Sequence, residues 1–374
     1  MPHPVRTLLH TLQGWLATCS LRQPGRLARK HVLPAASHRS IAWPLLTFGL
    51  LLAATVWMWR STAAEVNQIA RERFDFKVAE ALFAIEQRLL AYEQVQRGGV
   101  ALFAASNEVT RDQWRTYVRQ LNLEKNYPGI QAMAFSRRLL PAELNGFVQR
   151  TRSEGLEDYA IRPAGERAEY VPVTYIEPFD WRNRRALGFD LISEPTRREA
   201  LLRSQDTASP SATGKIKLAQ ETNEGVQSGF LLCMPVFPRG DVPPTIEGRR
   251  AALVGQACSV FRMNDLMRGI LGPEKLPNIH LQVFDGNAVS ADKMMYDSRQ
   301  EPSATPPESA AFATDQAFEF DGRVWTLRFN TLPAFDATID VQKPRLILAS
   351  GLLVSVLLAA VVWSLSLNRR RAAS

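Results

Sequence analysis

The sequence predicts an α+β protein in which a long stalk helix precedes two antiparallel-sheet subdomains, with a membrane-crossing helix at either end. Three observations lead there. Two uncharged apolar runs, at 41–59 and 346–367, bracket the chain. A proline-free stretch of helical periodicity follows the first run. From about residue 127 onward, strand-like runs alternate with Gly/Pro/Asp turns and short helices.

Residues 1–40 form a basic tail. Leu8, Leu9, Leu12, Trp15 and Leu16 recur at helical spacing beside Arg6 and Arg22. That pattern fits an interfacial amphipathic helix and an unordered basic tail equally well. The runs at 41–59 and 346–367 are each long enough to cross a hydrocarbon core of about 30 Å. Trp43, Trp57, Trp59 and Trp363 lie near their ends, where indoles favour the interface. Nine of the 45 Lys+Arg lie in the two tails, which hold no acid, leaving 36 basic against 37 acidic residues elsewhere. The basic excess is therefore a topology signal and argues against nucleic-acid binding. It predicts a two-pass protein of the inner (plasma) membrane. Both tails, 1–40 and 368–374, are expected to be cytoplasmic and 60–345 periplasmic. A cleaved signal peptide competes for the first run, because Ala63 and Ala64 follow it. The long apolar core and the crowding by Trp57, Trp59 and Arg60 favour an anchor.

Residues 60–107 read as the stalk. Val66, Ile69, Ala70, Phe74, Val78, Ala81, Leu82, Ile85, Leu89, Tyr92 and Val95 form a narrow stripe that suits a second copy, the chain's own domain, or both. Gly98-Gly99 is expected to interrupt it. A helix at 111–122 starts behind Thr110, and Tyr127-Pro128-Gly129 turns into a strand at 130–139. Further elements are a helix at 141–155, strands at 159–162 and 170–177, and a helix at 197–206. A turn at 209–214 then precedes strands at 215–220 and 229–237. The segment 238–248 reads as a linker. Beyond it come a strand at 251–261, a helix at 264–271, a strand at 279–284, a loop at 303–307, and a hairpin turning at Asp321-Gly322. Cys233 and Cys258 lie in strand-like runs, as either a disulfide or two buried thiols.

Chemistry-bearing motifs are absent. Four of five histidines lie in the tail, and His280 stands alone. No phosphate-cradling loop, zinc-protease helix or serine elbow occurs. The reading is of a non-enzyme with no cofactor and no metal.

Tyr170-Val171-Pro172-Val173, Gly188-Phe189-Asp190, Arg197-Arg198, Thr213-Gly214-Lys215, Gly229-Phe230-Leu231 and Pro235-Val236-Phe237 resemble the CHASE domain over roughly 103–260. That family supplies the extracytoplasmic sensor module of cytokinin receptors and of many bacterial sensor kinases and cyclases. The resemblance implies two PAS-like subdomains, here 108–240 (membrane-distal, ligand-holding) and 241–340 (membrane-proximal), and a homodimer through the stalk. Two departures stand out. Where cytokinin receptors carry a ligand-binding threonine, this chain has Ala219, and their aspartate's place falls near Pro178. Cytokinin specificity is not carried over. The second departure is that only a few residues follow the second apolar run, and output is therefore expected from a separate cytoplasmic partner, a kinase or cyclase.

The pocket is expected among 130–135, 175–180, 187–190, 215–219 and 230–235. Tyr175, Glu177, Asp180, Asn183 and Lys217 are its candidate polar groups, and Ala219 stands at the threonine's place. Gly188 is assigned to backbone geometry, and Asp190 to a cap or a bond with Arg197. The expected function is recognition of a small-molecule or peptide signal, relayed by helix movement. The alternative is a structural or adaptor protein that binds another protein through its periplasmic domain.

Overall fold

The computed structural model describes residues 39–222, 225–272, 276–299 and 310–371. The tail helix and the 303–307 loop lie outside the described residues. Two units are present. One holds the described residues up to Trp57 and from Leu348; the other is Met58–Ile347. In the first, the two helices are long and apolar enough to cross a membrane. Trp43, Leu46, Leu50, Leu353 and Leu357 are exposed there, while Thr55 and Ser355 are buried. Thr55 and Ser355 return their hydroxyls to the carbonyls of Leu51 and Gly351, so they add no unsatisfied polar group.

The chain runs α1 (Arg39–Ala104), α2 (Arg111–Leu121), α3 (Leu123–Asn126), β1 (Ile130–Arg137), α4 (Leu144–Ser153) and β2 (Val173–Glu177). It continues with α5 (Pro195–Thr207), β3 (Ser211–Ala212), β4 (Gly229–Val236), α6 (Ile246–Ala252), β5 (Gly255–Arg262) and α7 (Met263–Leu271). Then come β6 (Ile279–Asp285), β7 (Met294–Asp297), β8 (Ala313–Phe320), β9 (Arg323–Thr331), α8 (Pro333–Asp336) and α9 (Gln342–Arg371). The predicted α+β class, with one long helix and two antiparallel sheets, is what the chain forms. The first sheet has order β2-β1-β5-β4-β3 and the second β7-β6-β9-β8.

In the first sheet, alternation sends Met133, Phe135, Phe230, Leu232 and Phe261 to the α1 side. Ala132, Ala134, Leu231, Cys233, Cys258 and Val260 go to the other side. The 251–261 strand, expected to open the second unit, is instead the central strand of the first sheet, hydrogen-bonded to β1 and β4. Gly255 to Phe261 is buried on both faces, Gln256 and Ser259 included, as an interior strand of a covered sheet is. Cys233 and Cys258 face each other in register across β4 and β5 and are joined by a disulfide. Three shorter expectations fail. Of 159–162 only Arg162 pairs, in a single bridge to Phe189, and of 215–220 only Ile216 pairs, with Gly229. The 209–214 turn contains β3, an edge to β4. In the 215–220 stretch the Lys217 carbonyl accepts from Arg197 Nη2 at 2.8 Å instead of from a strand.

Helix α1 runs straight through Gly98 and Gly99. The predicted interruption is absent because these glycines are contact points. A Cβ on Gly98 would lie 2.6 Å from Tyr117 Oη, and one on Gly99 would lie 3.3 Å from the Trp114 ring. Each glycine costs the helix about 1 kcal/mol relative to alanine, and the close approach of α2 offsets it. Thr110 caps α2 reciprocally with Gln113: Gln113 N donates to Thr110 Oγ1 (3.3 Å) and Thr110 N to Gln113 Oε1 (2.8 Å). The Tyr117 hydroxyl donates to the Val95 carbonyl at 2.9 Å.

The stripe through Phe74, Val78, Ala81, Ile85, Leu89 and Tyr92 packs on the chain's own sheets. A different face is exposed: Ile69, which the sequence reading puts in the stripe, and Phe76, Phe83 and Leu90, which it leaves unmarked, seven residues apart.

The β8–β9 turn places Asp321 at φ 44° and Gly322 at φ 74°, both left-handed, as a two-residue hairpin of this kind needs. One Asp321 carboxyl oxygen, Oδ2, is buried without a partner. Burial, reinforced by Glu93 and partly offset by Arg97, pushes this carboxyl up to about 6 from its ordinary 3.8.

Two predictions follow from this packing. Gly98→Ala should destabilise the protein by about 1–2 kcal/mol in thermal melts, since the methyl must displace a bonded hydroxyl. Adding Tyr117→Phe should recover part of that loss. At Asp321 the folded carboxyl keeps its proton up to about pH 6, whereas the unfolded one releases it near 3.8. The unfolded state thus binds fewer protons between those values, and stability at this position falls as pH rises through them. Asp321→Asn, which suits the turn, should raise stability by about 1 kcal/mol above pH 6 after allowance for solvent screening. The gain should fade toward pH 4 in melts taken across the range.

Candidate ligand-binding site

The face of the first sheet turned away from α1 is covered by the segment 186–192, by α5 and by the strap 213–221. A cavity of about 20 Å³ lies under this cover. Ala134, Val173, Ile176, Leu231, Cys258 and Val260 form its floor. Ala186, Phe189, Leu191, Arg197, Leu218, Ala219 and Gln220 form its roof. That volume admits one water. Any larger ligand requires the roof to move.

Arg197 is the charged residue in this lining. It is buried, its Nη1 lies 3.2 Å from Glu194 Oε2, and its guanidinium sits 5.0 Å from the Phe189 ring centre. Burial lowers its pKa and Glu194 partly restores it. Glu194 also caps α5, accepting from the backbone N–H of Thr196 (3.1 Å) and Arg197 (2.9 Å). The expected Asp190–Arg197 bond is not formed. Asp190 instead accepts from Val171 N at 2.7 Å and lies 3.3 Å from Arg167 Nη1. Gly188, at φ 72°, does serve backbone geometry: a Cβ there would lie 2.0 Å from the Ala160 carbonyl oxygen.

The six candidate residues do not converge. Ala219 lines the cavity. Tyr175 and Glu177 point to the α1 side. The Tyr175 ring packs 5.8 Å from Phe135 and beneath Arg111, and Glu177 accepts from Arg115 Nε at 3.1 Å. Burial raises the Glu177 carboxyl, with Arg115 opposing. The cause is a β-bulge: Phe135 pairs with Tyr175 but Ser136 with Val173, leaving Thr174 as the extra residue. Strict alternation would keep 173, 175 and 177 on one face. The bulge puts Val173 and Ile176 in the cavity and turns Tyr175 and Glu177 away.

Asp180 and Asn183 build the adjoining turn. Asp180 Oδ1 accepts from Asn183 N at 2.7 Å. The fully buried Asn183 amide donates to the carbonyls of Pro178 (3.0 Å) and Gln131 (3.3 Å). The Lys217 side chain is exposed. The sequence reading missed Val173, Ala186, Leu191, Arg197, Gln220, Cys258 and Val260. Cys258 and Val260 were legible as a two-faced strand but had been given to the other sheet.

A second hollow, of about 500 Å³, lies beside α1 at the second sheet. Ile69, Phe76, Leu276, Pro277, Ile279 and Phe335 line it, with Glu72, Arg73, Lys77, Asn278 and Thr338. Among the described residues no group of three or more His, Cys, Asp or Glu is placed to hold a metal.

The model of the CHASE domain family matches residues 107–296. No curated protein matches the chain. Among solved structures, the periplasmic sensory domain of the Campylobacter jejuni chemoreceptor Tlp1 is similar at 9% identity and TM-score 0.44, covering 72% of this chain and 96% of that one. The ligand-binding domain of the Pseudomonas aeruginosa PAO1 amino acid chemoreceptor PctB, in complex with L-Arg, matches at 10% identity and TM-score 0.38, over 74% and 98%. That of PctC from the same organism, in complex with GABA, matches at 11% and 0.36, over 71% and 99%. No residue role is carried over from them. The family match spans just over half of the sequence and takes in β1 through β7, the cavity and its roof, and on that ground this chain belongs to the CHASE domain family.

Proposed function

We propose that this protein is a membrane-anchored extracytoplasmic sensor that binds a small-molecule or peptide signal under the roof of the first sheet. The observation that carries the reading is the cavity itself. It is an apolar hollow with one buried cation, formed within the family's matched region, which follows in sequence a long helix whose first part is an apolar span. The arginine-rich flanks support cytoplasmic tails and a periplasmic sensor. Ligand binding acts by its differential affinity for closed and opened roofs, and the relay passes through helix movement to a separate cytoplasmic kinase or cyclase.

The exposed row Ile69, Phe76, Phe83 and Leu90 supports a homodimer along α1. A strict seven-residue apolar repeat drifts slowly around a straight helix, and two such rows stay in contact by winding around each other to the left. An adaptor that docks another protein is the second reading. What favours it is that the cavity admits only a water while this row stands open to solvent.

Full-length protein in lipid nanodiscs should gain thermal stability from at least one class of small metabolite, and Ala219→Trp should remove that gain. A screen without any stabilising compound, together with stoichiometric capture of a protein on the 69–90 face, would instead favour the adaptor. Phe76→Glu combined with Phe83→Glu should convert a cross-linkable dimer into a monomer with an unchanged melting profile. Reporter fusions at residues near 150 and 300 should be active only on the periplasmic side.

A further inference from the structure

The strap that roofs the cavity is also what the second sheet holds. Leu218, Ala219 and Gln220 face the cavity. A few residues earlier, Lys215 N donates to Asp285 Oδ2 at 2.9 Å, and Lys215 Nζ reaches the Asp292 carbonyl at 2.7 Å. Asp285 closes β6 in the second sheet. Its carboxylate is gripped twice by Arg323, the first residue of β9: Nε to Oδ1 at 2.7 Å and Nη2 to Oδ2 at 2.8 Å. Burial alone would raise the Asp285 carboxyl. The Arg323 and Lys215 bonds outweigh it and hold the group below its ordinary range, so it is charged at neutral pH.

The strap has little slack on either side of this bond. Upstream, Ala212 N donates to the Asp321 carbonyl at 2.9 Å, and Arg203 holds Ser211 Oγ and the Ala212 carbonyl at 2.8 and 2.7 Å. Downstream, Ile216 is bridged to Gly229 in both directions, and Arg197 holds the Lys217 carbonyl. Position 214 must be glycine, because a Cβ there would lie 2.5 Å from Arg323 Nη2 and 2.8 Å from Asp285 Oδ2. Displacing the wall at 218–220 outward therefore loads the anchors at Lys217 and Ile216 and, next to them, the Lys215–Asp285 bond.

We propose that Asp285, locked by Arg323, is a positioning residue that reads the cavity's filling: a ligand lifting the 218–220 wall pulls the Lys215 amide off Asp285 and loosens β6 and β9. This rests on the sensor reading for its purpose and adds the route by which the first sheet informs the second. β9 leads through α8 to α9, so the loosened pair is the one continuous in sequence with the second span.

The test needs no natural ligand. Ala219→Leu overfills the cavity from the roof side. Amide hydrogen exchange is read in the full chain in nanodiscs over 279–285 and 323–331. Ala219→Leu should speed exchange there roughly tenfold, the size of a typical coupling between contacting sites. Asp285→Asn should raise the same amides by itself, and adding Ala219→Leu to it should change them by less than about twofold. Gly214→Ala, which breaks the contact by bulk and leaves the charges in place, should behave like Asp285→Asn. Ala134→Val adds bulk from the floor, pushes the same wall outward and carries the same criterion should Ala219→Leu not fold. The proposal is overturned if wall variants alter exchange in 229–236 while 279–285 and 323–331 stay at wild-type rates. Simple additivity of the Ala219 and Asp285 effects also overturns it. A failed compound screen leaves this outcome unaffected, so the two readings fail separately.

Discussion

Four aromatic rings hold the sensor unit together. Tyr92 of α1 lies 5.5 Å from Phe261 of β5, Phe261 stacks on Phe230 of β4 at 4.7 Å, and Phe230 meets the edge of Trp325 of β9 at 5.0 Å. This row runs from the long helix through the first sheet into the second. Each ring buries a large apolar area, and each pairing adds about 0.5–1.5 kcal/mol beyond that burial. The Tyr92 hydroxyl donates to the Pro128 carbonyl, and burial pushes its pKa to about 12, so the ring stays neutral in the core. Because the row is continuous, the α1-facing side of the first sheet and the second sheet share one core, while the far face of the first sheet keeps a cluster of its own. β4, β5 and β9 are thus packed through the same rings.

Much of this was legible from the chain. The uncharged runs, the stalk periodicity, the Thr110 cap and the Asp321-Gly322 turn are local signals, and each appears where spacing and residue type put it. Sheet membership was harder. The loop at 238–248 has the composition of a linker, yet β5 returns across it to the middle of the first sheet, where both of its faces are covered. The glycine pair at 98–99 reads as a break when only the helix is considered. It becomes a contact once Trp114 and Tyr117 are placed against it.

The site was less legible than the fold, for a specific reason. Alternation along β2 predicts that Tyr175 and Glu177 share the face of Val173, and one bulged residue, Thr174, reverses that. Polar type was also a poor guide. Asn183 and Asp180 spend their hydrogen bonds on the turn that shapes the roof. Arg197, expected only as a partner for Asp190, is the cation at the cavity wall. Ala219, noted only because a ligand-binding threonine is missing there, is the candidate that does face the hollow. A methyl group thus faces the hollow at that position, with Arg197 in the same lining.

The Cys233–Cys258 bridge bears on how such a hollow can breathe. It staples the two middle strands of the floor, and one of its sulfurs belongs to a residue of the cavity wall. Strands fastened this way resist sliding or parting, so the volume a guest needs has to come from above. In an oxidising compartment the bridge thus fixes the floor, and the strain of any guest would fall on the anchored segments above it.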